Sequence, residues 1–293
     1  ANAIYQNMHF MKMYNPEYVL ILSGDHIYKM NYAAMLKAHI ETGADCTIAA
    51  INVPLSEASR FGILNTNPDG SIYQFEEKPK VPKSTLASMG IYIFTASKLF
   101  KYLEEDEANP NSSKDFGKDV LPAMLNAGEK MYSYLFEGYW KDVGTIASLW
   151  QANMDLLGDN PEFDVNDKAW KIHSRNPLAP PEYIGDDAVV KNSMIALGCE
   201  IEGRVENSVL GSNVIVEKGA VIKDAVVLAN SIIKSGASVS YSIIDENVTV
   251  GKNSVIGVEK NPTAEIVVLG RDITVGDGVR VLSGQKNEKD ILV

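Results

Sequence analysis

The sequence predicts an α/β domain followed by a parallel β-helix, on three observations. Strand-like and helix-like segments alternate through the first half, from the apolar run Tyr18, Val19, Leu20, Ile21, Leu22 to a second apolar run ending at Val53. The β-branched residues Val209, Ile215, Val221, Val227, Ile233 and Val239 stand six apart. A strand repeats every two residues and a helix every 3.6, so neither explains a sustained period of six. A coil of three short parallel strands per turn does, with each strand pointing one branched side chain inward. Between the two patterns, residues 159–182 are rich in proline and charge and read as a connector. The expected division is therefore 1–158, a linker 159–182, and 183–293.

Residues 1–14 are expected to form one amphipathic helix that Pro16 ends. Residues 18–23 form a continuous apolar strand, suited to the centre of a parallel sheet, and stop at Gly24, Asp25 and His26. A helix over 32–41 is broken by Gly43, and a buried strand follows over 46–53. Strands over 61–64 and 71–78 flank the turn-rich stretch 65–70, and 89–94 is a further strand. A helix is expected over 99–105 and a capped helix over 113–126, with Phe116, Val120, Leu121, Met124 and Leu125 inward and Gly128 as its stop. Strand 131–136 and a helix capped by Thr145 complete the domain. The repeats run from 183 to about 258, with phase slips before Val209 and after Val239, and a Gly- and Asp-rich tail, 261–293, closes them.

The chain of 293 residues has a formal charge of −11 and a pI near 4.9. That balance argues against nucleic acid or an anionic membrane surface as partner, because phosphate backbones demand a basic footprint. No apolar run approaches a membrane span, no signal peptide is visible, and Cys46 and Cys199 form no CxxC pair. A reduced, cytoplasmic protein is expected.

Three segments carry candidate chemistry. Asp25 lies just past the carboxyl end of a buried strand, where α/β sheets bind ligands; a carboxylate there can hold Mg²⁺, or simply cap its own turn. Lys78 precedes Pro79, which is expected to hold it extended and so give it a defined direction for gripping a phosphate; the alternative is a solvated strand end. Strand alternation puts Glu76 and Lys78 on one face and Phe75 and Glu77 on the other. Asp142 precedes a Gly144-Thr145 helix start, a place that favours anions, and can equally be a plain residue of the helix approach. The histidines show no HxxxH spacing, and no GxSxG or Walker A pattern occurs.

Taken together, GDHIYKM (24–30), ASRFGI (58–63), FEEKP (75–79), SMGIYIF (88–94), SSKDFGKDVLP (112–122) and YWKDVGT (139–145) occur in this order. The set resembles the bacterial glucose-1-phosphate adenylyltransferases, over essentially the whole chain. FEEKP and the YWKDVGT acid are shared by sugar nucleotidyltransferases generally, whereas GDHIYKM with SMGIYIF and DFGKD is narrower. The resemblance implies a Rossmann-like nucleotidyltransferase domain followed by a left-handed parallel β-helix of hexapeptide repeats. It implies ATP and glucose 1-phosphate as substrates, Asp25 and Asp142 as ligands of a catalytic Mg²⁺, and Lys78 on the sugar phosphate. Gly62, Glu77 and Ser88 would line the glucose pocket; Glu77 can share it with Lys78 only if the strand bends near Pro79. A homotetramer responsive to allosteric metabolites is likewise implied.

The family's Gly-rich nucleotide loop has no counterpart here. The chain is thus expected to begin partway through the catalytic domain, lacking its first strand–loop–helix unit, and to be inactive alone. Asn31 stands where the family usually has Asp, with little consequence expected. Two rivals remain open: a catalytically silent regulatory subunit, disfavoured because Asp25, Lys78 and Asp142 are all present, and a mannose-1-phosphate guanylyltransferase-like enzyme. An acetyl-transferring β-helix is opposed by the lack of any histidine after His173.

Overall fold

A computed structural model describes residues 1–174 and 177–293. In chain order the first part holds α1 (Asn2–Gln6), α2 (Met8–Met13), β1 (Tyr18–Ile21), β2 (His26–Tyr28), α3 (Tyr32–Thr42), β3 (Cys46–Asn52), α4 (Leu55–Ala58), β4 (Gly62–Thr66), β5 (Ile72–Glu77), β6 (Leu86–Thr95), α5 (Ala96–Ala108), a π-helical turn (Phe116–Val120), α6 (Leu121–Asn126), β7 (Met131–Leu135), β8 (Trp140–Asp142) and α7 (Ile146–Met154). Two compact units form: Ala1–Gly24 with Lys29–Gly138, and Asp25–Tyr28 with Tyr139–Val293. The contacts therefore group β8 and α7 with the repeats, whereas the sequence-based boundary falls at residue 158.

The first unit is built on a sheet of order β5-β4-β6-β3-β7, with β1 also pairing β6. Only β3 and β7 run parallel; β1 runs antiparallel to β6, with Tyr18 opposite Thr95. The expectation of a parallel central strand at 18–23 is thus corrected. An apolar run reports burial, not strand direction, and here even burial is partial, with Leu20 38% exposed. The core gathers Ile48, Leu64, Phe94, Leu99, Leu121 and Met124.

Local chemistry explains the helix boundaries. Asn31 caps α3, its side chain accepting from the Ala33 and Ala34 amides, and Gly43 ends the helix at φ 60°. Asn caps a helix as well as Asp does, so the cap is kept with Asn31. The single helix expected over 1–14 is two, broken at Asn7, whose side-chain amide donates to the Ala3 carbonyl. The helix expected from Ser113 begins later: Lys114 takes φ 61° and Asp115 is the cap, accepting from the Lys118 amide. The Ser113 hydroxyl instead donates to Asp119, at 2.6 Å.

In the second unit, three six-stranded parallel sheets form the faces of a β-helix. Each strand pairs with the one a coil later, as Ile215 with Ile232 and Ile232 with Thr249. The inward residues are Leu210, Val216 and Ile222, then Val227, Ile233 and Val239, all essentially buried. The step from 222 to 227 is five, so a slip lies inside the series where strict sixfold spacing was expected, and Val209, Ile215 and Val221 are only partly buried. The short step is a tight corner at Asp224, in left-handed conformation at φ 52°.

Corner residues stack from coil to coil. Asn213 donates to Asn230 at 3.0 Å, Asn230 to Asn247 at 3.2 Å and Asn247 to Asp272 at 2.8 Å. All four have φ between 60° and 64°, which Asn and Asp tolerate better than other side chains with a Cβ. The segment 261–293 does more than close the coil. Strands Val267–Leu269, Thr274–Val275, Arg280–Val281 and Lys286–Asn287 extend all three sheets.

Candidate functional site

Asp25 and Asp142, distant in sequence, meet in the second unit. β2 and β8 pair antiparallel with His26 opposite Asp142, and the Val143 amide donates to the Asp25 carbonyl at 3.1 Å. The hairpin-like pairing sets the carboxylates side by side. A Cβ placed on Gly144 would lie 3.0 Å from Asp142 Oδ1 and 3.6 Å from Asp25 Oδ2, so both acids converge on that glycine. The Gly144 amide donates to Asp142 Oδ1 at 2.7 Å. His26 packs edge-on to Trp140, and its Nε2 lies 3.6 Å from Asp25 Oδ1.

This donor set suits a hard divalent cation. Among the described residues no three His, Cys, Asp or Glu side chains converge into a self-sufficient metal cage. Two carboxylates, one of them with its side chain 59% exposed, match an ion that completes its shell with water and substrate phosphate oxygens.

Gly62, Glu77, Lys78 and Ser88 lie in the first unit. Gly62 pairs with Glu77 across β4 and β5. A Cβ on Gly62 would meet the Phe75 ring at 2.4 Å and Glu77 Oε2 at 3.0 Å, and one on Gly117 would meet Glu77 Oε2 at 2.4 Å. The Glu77 carboxylate therefore occupies a slot that two glycines leave open. Burial, then the charge of Asp115, raises its pKa above the ordinary value, against the pull of Lys78 and Lys118. Tyr92, hydrogen-bonded to Ser88, also feels Glu77 and Asp115; burial above all pushes its phenol up. Ser88 and Glu77 thus both act on Tyr92.

Lys78 is not extended. Its φ is 47° and β5 ends at Glu77, so the alternation breaks one residue before Pro79. The left-handed conformation is unusual for a lysine and is stabilised by its amide donating to the Phe61 carbonyl at 3.1 Å. The turn brings Lys78 Nζ to 3.9 Å from Glu77 Oε1, on the side from which alternation alone excluded it. The backbone therefore turns away from the strand just before Pro79.

Sequence reading missed Gly117, Asp115, Tyr92 and Gly144 as site residues. The first three lie in the DFGKD and SMGIYIF segments, but their roles depend on the side chain of Glu77, which no spacing rule locates.

Residues 1–159 match the nucleotidyl transferase family, and residues 182–286 match the GlmU-like C-terminal hexapeptide family. A glucose-1-phosphate adenylyltransferase of Clostridium perfringens (strain SM101 / Type A) is 62% identical over 79% of this chain and 60% of its own length. One from Acetivibrio thermocellus is 49% identical over 96% of this chain and 68% of its own length, and one from Bacillus cereus is 53% identical over 89% and 69%. The chain belongs to the glucose-1-phosphate adenylyltransferase family of nucleotidyl transferases. As in that family, a nucleotidyl transferase domain precedes a hexapeptide-repeat, left-handed parallel β-helix. The chain spans about 60% of the length of the clostridial adenylyltransferases it matches. No helix among the described residues is long and apolar enough to cross a membrane.

Proposed function

We propose that the protein carrying this chain transfers the adenylyl group of ATP to glucose 1-phosphate, giving ADP-glucose and pyrophosphate, for glycogen synthesis. The observation that supports this most is the convergence of Asp25 and Asp142 on Gly144 in a family whose relatives bear that name. Both substrates are polyanions, so the barrier to their meeting is largely electrostatic. Asp25 and Asp142 would hold Mg²⁺, which supplies charge neutralisation at the phosphates when bound. Lys78 binds the phosphate of the sugar and orients one of its oxygens toward the α-phosphorus of ATP. That oxygen forms the new P–O bond as the bond to the pyrophosphate oxygen breaks. Phosphoryl transfer of this kind rests on positioning and charge, with no covalent intermediate on the protein.

Gly62, Glu77 and Ser88 take the glucose hydroxyls. A Glu77 carboxylate between two glycines is a hydrogen-bond acceptor at fixed depth, suited to one sugar hydroxyl. A cytoplasmic homotetramer with allosteric metabolite sites completes the proposal. ADP-glucose formation by the whole protein, with GTP as competitor, is the test. Synthesis of ADP-glucose is expected; preference for GTP would favour the guanylyl alternative, and no transfer with either would favour the silent subunit.

A further inference from the structure

We infer that Asp155 is a positioning residue for Asp142, acting through the far face of β8. This rests on the proposal that Asp25 and Asp142 hold a divalent cation.

Asp155 follows α7 and is 5% exposed. Its carboxylate accepts from the Tyr139 hydroxyl at 2.7 Å, from Gln151 Nε2 at 2.7 Å, and from Lys141 Nζ in a close ion pair. Tyr139 and Lys141 are alternate residues at and just before β8. Side chains alternate faces along a strand, so fixing 139 and 141 toward Asp155 sends Trp140 and Asp142 to the opposite face. There Trp140 meets His26, and Asp142 meets Gly144 with Asp25 close by. A strand of three residues has little intrinsic hold on its own orientation, and a one-residue slip would turn Asp142 away.

The connection makes the clamp rigid. Three residues past Asp142, Thr145 and Ser148 form a reciprocal capping box that starts α7. The nine residues of α7 run about 13 Å, close to the length of the four-residue stretch 139–142. The helix therefore returns Asp155 to the beginning of the strand while its own start stays beside Asp142. A carboxylate so buried and so fully engaged with three donors is not itself a ligand. Its role is to hold the strand that carries one.

The test is a Mn²⁺ titration by electron paramagnetic resonance on the full protein, alongside steady-state kinetics. Asp155→Asn is expected to weaken Mn²⁺ binding about tenfold and lower kcat by about 10- to 100-fold, the scale of a misplaced catalytic group, with an unchanged KM for glucose 1-phosphate. Asn230→Ala, a destabilising change in the β-helix, is the control for stability alone and should alter neither. Wild-type Mn²⁺ binding and kcat in Asp155→Asn, measured below its melting temperature, would overturn the inference. If that variant does not fold, Tyr139→Phe replaces it, with about two- to tenfold weaker binding expected for one lost hydrogen bond; no change would again overturn it. Asp142→Asn separates the two levels. If it abolishes Mn²⁺ binding while Asp155→Asn leaves it intact, only the positioning role falls. If Asp142→Asn itself binds normally, the metal assignment fails and takes the inference with it.

Discussion

Glu77 and Asp155 are two largely buried carboxylates in opposite situations. Burial pushes the Asp155 carboxyl up, but hydrogen bonds from Gln151, Lys141 and Tyr139 outweigh it and hold its pKa below the ordinary value. At Glu77, burial and the neighbouring charge of Asp115 prevail over Lys78 and Lys118, and the pKa rises. The first acid is fully engaged within the protein. The second is held in a slot between two glycines with its charge under-compensated. Burial therefore does not mark an acid as structural or functional; the partners decide.

Removing the satisfied acid should have the largest effect on stability. Asp155→Ala leaves the Lys141 ammonium partly buried without its carboxylate and is expected to lose about 3–5 kcal/mol in chemical denaturation. Asp142→Asn, by contrast, should cut kcat by about 10²–10³, comparable to losing one electrostatic donor in other enzymes. Its stability should change by no more than about 0.5 kcal/mol; similar losses in both properties would blur the distinction between holding acids and acting acids. Gly117→Ala puts a methyl 2.4 Å from Glu77 Oε2 and should raise the KM for glucose 1-phosphate at an overpacking cost of about 1–3 kcal/mol. An unaltered KM would remove Glu77 from the sugar site.

Asn230→Ala, which breaks the corner ladder and leaves a side chain at φ 60°, is expected to cost about 1–2 kcal/mol. The smallest effect is on pH dependence. Because folding raises the Glu77 pKa above its ordinary 4.5, the ionised side chain opposes folding, and stability drops as pH rises through that value toward the folded one. Melting curves should thus show Glu77→Gln gaining on wild type as pH rises above 4.5. Asp155 has the reverse sign: its contribution is present above 3.8 and is lost as pH falls through its lower folded value. Parallel curves for Glu77→Gln and wild type would show that folding does not raise the Glu77 pKa.

Much of the fold was legible because its signals are local. Gly43, Thr145 and Gly128 punctuate helices by their own backbone or side-chain chemistry, and all three end or begin elements as expected. The β-helix was legible because each coil repeats one local solution. Its fivefold step at Asp224 was missed, since a six-apart series of β-branched residues persists across it with the buried member moving by one. Strand direction at residues 18–21 was not legible, because an apolar run encodes burial rather than pairing partner.

Local signals in the sequence marked most element boundaries, the repeating coil, and which residue types were available for chemistry, all of which depend on neighbours within a few positions. Folding in three dimensions was needed to bring Asp25 and Asp142 to Gly144, to seat Glu77 between Gly62 and Gly117, and to set Asp155 behind β8. Those relations join residues far apart in the chain through strand register and close packing, and no local propensity carries that information.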